Sequence, residues 1–122
     1  LPRIKTDLLE IFLATANGSL SQINLEIDTQ TAACVMIVSG GYPGEYEKSK
    51  LISGFGDVNK SLIFHAGTSF KDGNIVTSGG RVIAVTSQSD TISSAISKSL
   101  ESAFKIKFEN CYFRKDIGKD LM

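Results

Sequence analysis

The feature that most constrains the fold is an apolar run of eight residues that ends abruptly in a flexible loop. Residues 31–38 read "TAACVMIV", and residues 39–44, "SGGYPG", follow at once. A short apolar run that is rich in β-branched residues and bounded by turn residues predicts a strand buried on both faces. Such a strand needs a sheet around it, so the sequence predicts a core of paired strands rather than a bundle of helices.

The rest of the chain supplies further strands between two helices. Apolar spacing predicts helices over residues 7–17 and 91–105, the second with a buried stripe. That stripe is expected to comprise Ile92, Ala95, Ile96, Leu100, Ala103 and Phe104. Strands are predicted over 48–53 as an edge, over 61–68 as a buried strand, and over 81–87, with a brief strand at 25–27. Asp72-Gly73 predicts a hairpin. We therefore expect an α+β fold, a mostly antiparallel sheet with flanking helices.

Composition limits both domain number and partners. The 122 residues, 42% of them hydrophobic, predict a single domain over 1–122. Thirteen basic residues balance thirteen acidic ones, which argues against nucleic acid or an anionic membrane as partner. No apolar run approaches the ~20 residues of a membrane span. Cys34 and Cys111 are expected to be reduced thiols of a cytosolic protein, at least one of them buried.

Two glycine-rich stretches are candidate binding sites. In the first, Gly40, Gly41 and Tyr42 form either an anion-binding nest or simply a tight turn. In the second, Gly79 and Gly80 precede Arg81 at the start of a strand. An arginine placed there can present its planar fork to a phosphate or carboxylate, and the alternative is a surface ion pair.

Other chemistries lack support. His65, the one histidine, ends an apolar strand and is expected to be a hydrogen-bonded structural residue. No serine or cysteine has an evident histidine and acid partner, and no metal-ligand spacing occurs. The acidic and basic residues of 45–50 are expected to form a solvated strand edge.

Four stretches, taken together, resemble a known family. "SGGYPGEYEKSKLISG", "IFHAGT", "KDGNIVTSGGRVIAVTS" and "YFRKDIGKD" occur in this order. They resemble the C-terminal domain of the phosphoribosylamine–glycine ligases, which are ATP-grasp enzymes of purine biosynthesis. The opening, "LPRIKTDLLE", resembles the segment that follows their ATP-grasp region.

The resemblance implies an activity that this chain does not carry alone. The complete enzymes join glycine to 5-phosphoribosylamine with ATP and Mg²⁺ (or Mn²⁺), in the cytoplasm. Their nucleotide and metal sites lie in the preceding domains, so the chain is expected to bind neither and to be inactive by itself. Its expected partners are the N-terminal and ATP-grasp domains of the same polypeptide, against which it would bury apolar surface.

The resemblance also implies a role for the glycine-rich stretches. Relatives place a basic residue beside a glycine turn to hold a ribose phosphate, which implies a phosphate contact for Arg81. Gly79, Gly80, Gly40, Gly41 and Tyr42 would then line the acceptor pocket. The alternative is a free-standing module that binds a small ligand or a protein without catalysis.

Overall fold

The computed structural model describes residues 1–121 and has two helices and five strands. The helices are α1 (Leu8–Ala16) and α2 (Ile92–Ala103). The strands are β1 (Thr31–Val38), β2 (Leu62–His65), β3 (Thr68–Lys71), β4 (Asn74–Thr77) and β5 (Arg81–Ser89). Short 3₁₀ turns lie at Leu20–Gln22, Phe55–Asp57 and Lys119–Leu121. Within residues 1–121, none of the helices combines the length and the apolar character needed to cross a bilayer.

An antiparallel sheet in the order β1-β5-β2 forms the centre of the fold. The β3–β4 hairpin is a separate pair, and it turns at the predicted Asp72-Gly73. Helix α2 packs on β1 and β5. The core between these layers contains fully buried Val35, Ile37, Ile83 and Val85, joined by Ile106 from the C-terminal segment. The predicted α+β class is confirmed.

Strand β1 is buried on one face only, so the prediction of burial on both faces is wrong. Val35 and Ile37 are buried, whereas Cys34 is exposed and Met36 is half-buried. The physical reason is that β1 lies at the edge of the sheet and α2 covers one side of it.

Three other strand predictions also need correction. Strand β2 is mostly exposed, because it forms the other edge of the same sheet. Residues 48–53 form no strand; Leu51 and Ser53 make isolated bridges to Val76 and Lys107. Likewise, the brief strand at 25–27 is a single bridge between Ile4 and Ile27.

Helix α2 begins and ends close to the predicted bounds, but its buried face is partly polar. Thr91 caps it, accepting a hydrogen bond from the Ser94 amide at 3.2 Å. Ser99 and Ser102 are fully buried, whereas the predicted stripe members Ile92 and Phe104 are exposed. The two serines are tolerated because their hydroxyls find partners: Ser99 donates to the Ala33 carbonyl, and Ser61 donates to Ser102.

Helix α1 is one residue shorter at each end than predicted, with Asp7 and Asn17 as its caps, and it does not bury its apolar face. The side chains of Leu9, Phe12 and Leu13 are 64%, 62% and 56% exposed. The segment around the helix closes on itself, with hydrogen bonds from the Lys5 amide to the Glu26 carbonyl and from Arg3 to Asp28. The expected exposure of apolar surface is thus present at α1.

Both cysteines are unpaired, as predicted. Cys34 is exposed and Cys111 is half-buried, so the prediction that at least one is buried is wrong. Cys111 packs against the hydrophobic core without being fully covered, whereas Cys34 lies on the uncovered face of β1.

Candidate functional site

The two glycine-rich stretches lie side by side. We call residues 39–44 the glycine loop and residues 78–81 the arginine turn. The Ser39 amide donates to the Gly80 carbonyl at 2.8 Å, and the Ser39 hydroxyl donates to the Gly79 carbonyl at 3.0 Å. Val38 and Arg81 are register partners in β1 and β5. The antiparallel sheet therefore joins candidate residues that are far apart in sequence.

Glycine is needed where the loop and the turn touch. A Cβ atom at Gly80 would lie only 2.1 Å from Cδ2 of Tyr42, so the tyrosine ring occupies the space of a missing side chain. Gly41 has φ +94°, and a Cβ there would lie 2.0 Å from the Glu45 carbonyl oxygen. These glycines bring the Tyr42 ring against the arginine turn.

Some main-chain amides of each stretch donate hydrogen bonds within the chain. The Tyr42 amide donates to the Ser39 carbonyl at 3.1 Å, and the Gly79 amide donates to the Gly67 carbonyl at 3.2 Å. At these two positions the turn interpretation fits better than the anion nest, because an amide that is already donating cannot also hold an anion. The amides of Gly40, Gly41 and Gly80 donate no main-chain hydrogen bond within residues 1–121, so the nest interpretation stays open for them.

A cavity of about 350 Å³ lies beside the edge strand and the two stretches; we call it the edge cavity. That volume falls within the usual range for small-molecule sites. It contains Tyr42 and Arg81 together with apolar residues of β1 and part of the C-terminal segment. Its lining comprises Cys34, Val35, Met36, Val38, Tyr42, Arg81, Tyr112, Phe113, Arg114 and Ile117.

Arg81 is exposed, and among residues 1–121 its guanidinium makes no hydrogen bond or ion pair. The alternative of a surface ion pair is therefore not what the structure has. Only its main chain is engaged, since its carbonyl accepts from the Gly67 amide at 2.8 Å. The side chain keeps its full set of donors for an external group.

Arg114 is the second arginine of the edge cavity, and it is held by Asp116. Its Nε and Nη2 atoms donate to Oδ1 and Oδ2 of Asp116, both at 3.0 Å. These hydrogen bonds lower the pKa of the Asp116 carboxyl and raise the pKa of Arg114. Arg114 was not among the predicted site residues, although the spacing Arg-x-Asp in "YFRKDIG" is a signal for such a pair.

A second, polar hollow of about 270 Å³ lies on another side of the glycine loop. Its lining comprises Ser39, Gly40, Glu45, Tyr46, Glu47, Lys50, Glu109 and Asn110. Lys50 bridges Glu109 at 2.8 Å and Glu47 at 2.5 Å, and the pKa of Lys50 is raised mainly by its hydrogen bond to Glu109. Residues 45–50 are thus an irregular segment tied to the C-terminal segment, not the predicted strand edge.

His65 is hydrogen-bonded, as predicted, and its side chain is exposed. Its Nδ1 atom lies 3.1 Å from the Thr68 hydroxyl, and its ring lies 5.2 Å from that of Phe55. In the part of the chain that the structure describes, no group of three or more His, Cys, Asp or Glu residues is arranged to hold a metal ion.

Comparison with known proteins identifies the family. The sequence profile described as "Phosphoribosylglycinamide synthetase, C domain" matches residues 32–120. The chain belongs to this family. The match contains the glycine loop, the arginine turn and Arg114.

Individual relatives of the C domain agree. The chain is 48% identical over 118 residues to a phosphoribosylamine–glycine ligase of Caldanaerobacter subterraneus, covering 97% of this chain and 28% of that protein. It is 40% identical to the human trifunctional purine biosynthetic protein adenosine-3, covering 97% of this chain and 12% of that protein.

A solved structure is similar as well. The crystal structure of phosphoribosylamine–glycine ligase from Thermotoga maritima matches with a TM-score of 0.72 at 33% identity, over 88% of this chain and 27% of that one. The chain therefore spans between about an eighth and a little over a quarter of these relatives. Residues 1–31 precede the C-domain profile, although the alignment to the Caldanaerobacter protein includes nearly all of them.

Proposed function

We propose that this chain is the C-terminal part of a phosphoribosylamine–glycine ligase. The complete enzyme would join glycine to 5-phosphoribosylamine, converting ATP to ADP and phosphate and yielding glycinamide ribonucleotide for purine biosynthesis. The observation that carries this proposal is the 48% identity, over 97% of the chain, to a protein of that name. We also propose a cytoplasmic location, which fits the unpaired thiols of Cys34 and Cys111.

Within that enzyme, the chain would help to close the pocket of the acceptor substrate. Arg81 would hold the phosphate of phosphoribosylamine, because its guanidinium has no partner among residues 1–121 and lines the edge cavity. Tyr42 would form one wall of the pocket, in a position that is possible because Gly80 and Gly41 have no side chains. Gly79 belongs to the arginine turn beside it, whereas Gly40 lines the polar hollow, where a Cβ would lie 2.6 Å from the Asn110 carbonyl oxygen.

ATP and Mg²⁺ (or Mn²⁺) belong, in this proposal, to the ATP-grasp domains that precede the C domain in such ligases. Within residues 1–121, no three carboxylate, histidine or cysteine side chains are arranged to hold a metal ion. When bound, the nucleotide and metal would supply activation of glycine. The C domain would orient the amine acceptor and exclude water from it.

The chain would also pack against those domains. The exposed apolar face of α1 is the surface that supports this, and α1 lies in the part of the chain that precedes the C-domain profile. One domain over residues 1–122 stays a prediction; residues 32–120 are the part that the family profile delimits.

The test uses the complete gene product that contains this chain. We expect ADP release that requires both glycine and phosphoribosylamine, and loss of that activity when residues 32–122 are removed. Arg81→Ala should raise the KM for phosphoribosylamine and leave the KM for ATP unchanged. A complete gene product without ligase activity would contradict the proposal and favour a module that binds a ligand without catalysis.

A further inference from the structure

We propose that Arg114 is a second phosphate-binding residue of the edge cavity, so that Arg81 and Arg114 grip one phosphate monoester from two sides. The inference rests on the proposed function, since it extends the phosphate contact assigned to Arg81. It adds a residue from a separate segment of the chain and gives Asp116 a positioning role.

The two arginines come from segments that flank the end of β1. Tyr112 pairs with Val38 through two main-chain hydrogen bonds of 2.8 and 3.0 Å, and Arg81 is the partner of Val38 on its other side. Two strand spacings, roughly 10 Å, therefore separate the backbones of Tyr112 and Arg81. Arg114 lies two residues beyond Tyr112, and both arginines line the edge cavity. A single group inside the cavity is within reach of both side chains.

Arg114 keeps donors for a ligand although it is paired. A guanidinium has five N–H donors, and Asp116 takes one from Nε and one from Nη2. The two donors of Nη1 and one of Nη2 remain. Because the carboxylate grips the guanidinium at two points, the plane of the fork is fixed before a ligand arrives, and less side-chain entropy is lost on binding.

The composition of the cavity favours an anion with an attached ring or chain. Among its lining residues none is acidic, and the two charged ones are both arginines. Apolar side chains such as Val38 and Met36 form much of the remaining wall and offer contacts to the ring or chain attached to the anion. The neighbouring polar hollow has the opposite charge balance, because its lining contains three glutamates and a single lysine. A sugar phosphate fits the edge cavity and not the hollow.

The experiment measures inhibition of the complete ligase by ribose 5-phosphate, with ribose as the probe that lacks the phosphate. Arg114→Ala should raise the inhibition constant of ribose 5-phosphate about 10- to 100-fold, the usual effect of losing a charged hydrogen-bonding group. It should leave the inhibition constant of ribose and the KM values for ATP and glycine unchanged. Asp116→Asn should give a smaller rise, since Arg114 keeps its charge but loses its fixed orientation.

Lys115→Ala is the matched control. It removes the same charge from the adjacent residue, but the Lys115 ammonium lies over the Phe104 ring, 5.5 Å from its centroid, and lines a different cavity. We expect the Lys115→Ala variant to have the wild-type inhibition constant for ribose 5-phosphate. Equal inhibition constants for Arg114→Ala and Lys115→Ala would overturn the proposal, and so would a rise in the KM for ATP as large as the rise for ribose 5-phosphate.

Two further measurements distinguish a loss of phosphate binding from a folding defect, and test the cavity even if the proposed function is wrong. Arg114→Lys retains the charge but cannot make the two hydrogen bonds to Asp116, and it should also weaken the binding of ribose 5-phosphate. An unfolding temperature equal to that of the wild type shows that this loss is not caused by misfolding. If the complete gene product shows no ligase activity, calorimetric titration with ribose 5-phosphate still tests the cavity. If Arg114→Ala weakens this binding, the phosphate site is supported although the ligase activity is absent. If Arg114→Ala leaves the binding unchanged, the proposal is overturned.

Discussion

Gly80 is the residue on which the shape of the candidate site most directly depends, because the Tyr42 ring occupies the place of its absent side chain. Gly80→Ala should destabilise the fold by about 1–3 kcal/mol, the usual cost of overpacking. It should also move Tyr42 away from the edge cavity. Denaturant unfolding measures the first effect.

Gly56→Ala is the control for this substitution, since a Cβ there meets no atom within 4 Å. Adding Tyr42→Ala to Gly80→Ala should recover part of the lost stability, because the clashing ring is gone. Strictly additive effects of the two substitutions would show that the contact between Gly80 and Tyr42 does not limit the fold.

Ser99 illustrates a polar residue that the core requires. Its side chain is fully buried and donates to the Ala33 carbonyl at 2.8 Å, which links α2 to β1. Ser99→Ala should cost about 1–3 kcal/mol of unfolding free energy, because the part-buried hydrogen bond to the Ala33 carbonyl is lost. Exposed Ser97 on the same helix is the control; Ser97→Ala should be neutral or slightly stabilising, as measured by urea unfolding.

Helix α2 depends, as an element, on its first turn. Thr91 accepts a hydrogen bond from the Ser94 amide, and Thr91→Ala should therefore cost about 0.5–2 kcal/mol. Thr91→Ser keeps the hydroxyl and should retain most of the stability. If the two variants unfold at the same denaturant concentration, the cap contributes nothing and the helix is held by packing alone.

Helix ends and the hairpin were predictable because their signals are local. Asp7, Thr91 and Asp72-Gly73 act on the backbone within a few residues, and the observed elements begin or turn there. The exposure of β1 and β2 was not predictable, since it depends on which strand lies at the edge of the sheet. An apolar run has the same composition whether one face or two are covered.

The candidate site was half predictable for the same reason. Arg81 and the glycines of both stretches carry a local signal, and the structure brings them together. Arg114 is placed beside them only by the pairing of Tyr112 with Val38, which no pattern within "YFRKDIG" specifies. Glu109, which bridges Lys50, was missed similarly, because it lies far along the chain.

On the scale of the whole molecule, the exposed apolar face of α1 is the feature that distinguishes two possibilities: a domain that is stable by itself, and a part of a larger protein that packs on neighbouring domains. Burying a leucine side chain contributes about 1.5–3 kcal/mol, so a helix that exposes several forgoes much of its stability. Leu9→Glu with Leu13→Glu should therefore change the unfolding free energy of residues 1–122 by less than about 0.5 kcal/mol, as expected for exposed positions. The same pair in the complete gene product should lower its thermal midpoint and its ligase activity, because two charges would be forced into an apolar interface.

The control adds the same charge without removing apolar surface. Ser21→Glu with Thr29→Glu places two carboxylates at exposed polar positions of the same N-terminal segment. We expect this pair to leave both the complete gene product and residues 1–122 unchanged. Light scattering supplies an independent measure: residues 1–122 should associate at high concentration, and the leucine variant should not. A complete gene product that tolerates the leucine variant as well as the control would mean that α1 faces solvent there too, and that the C domain joins its neighbours through another surface.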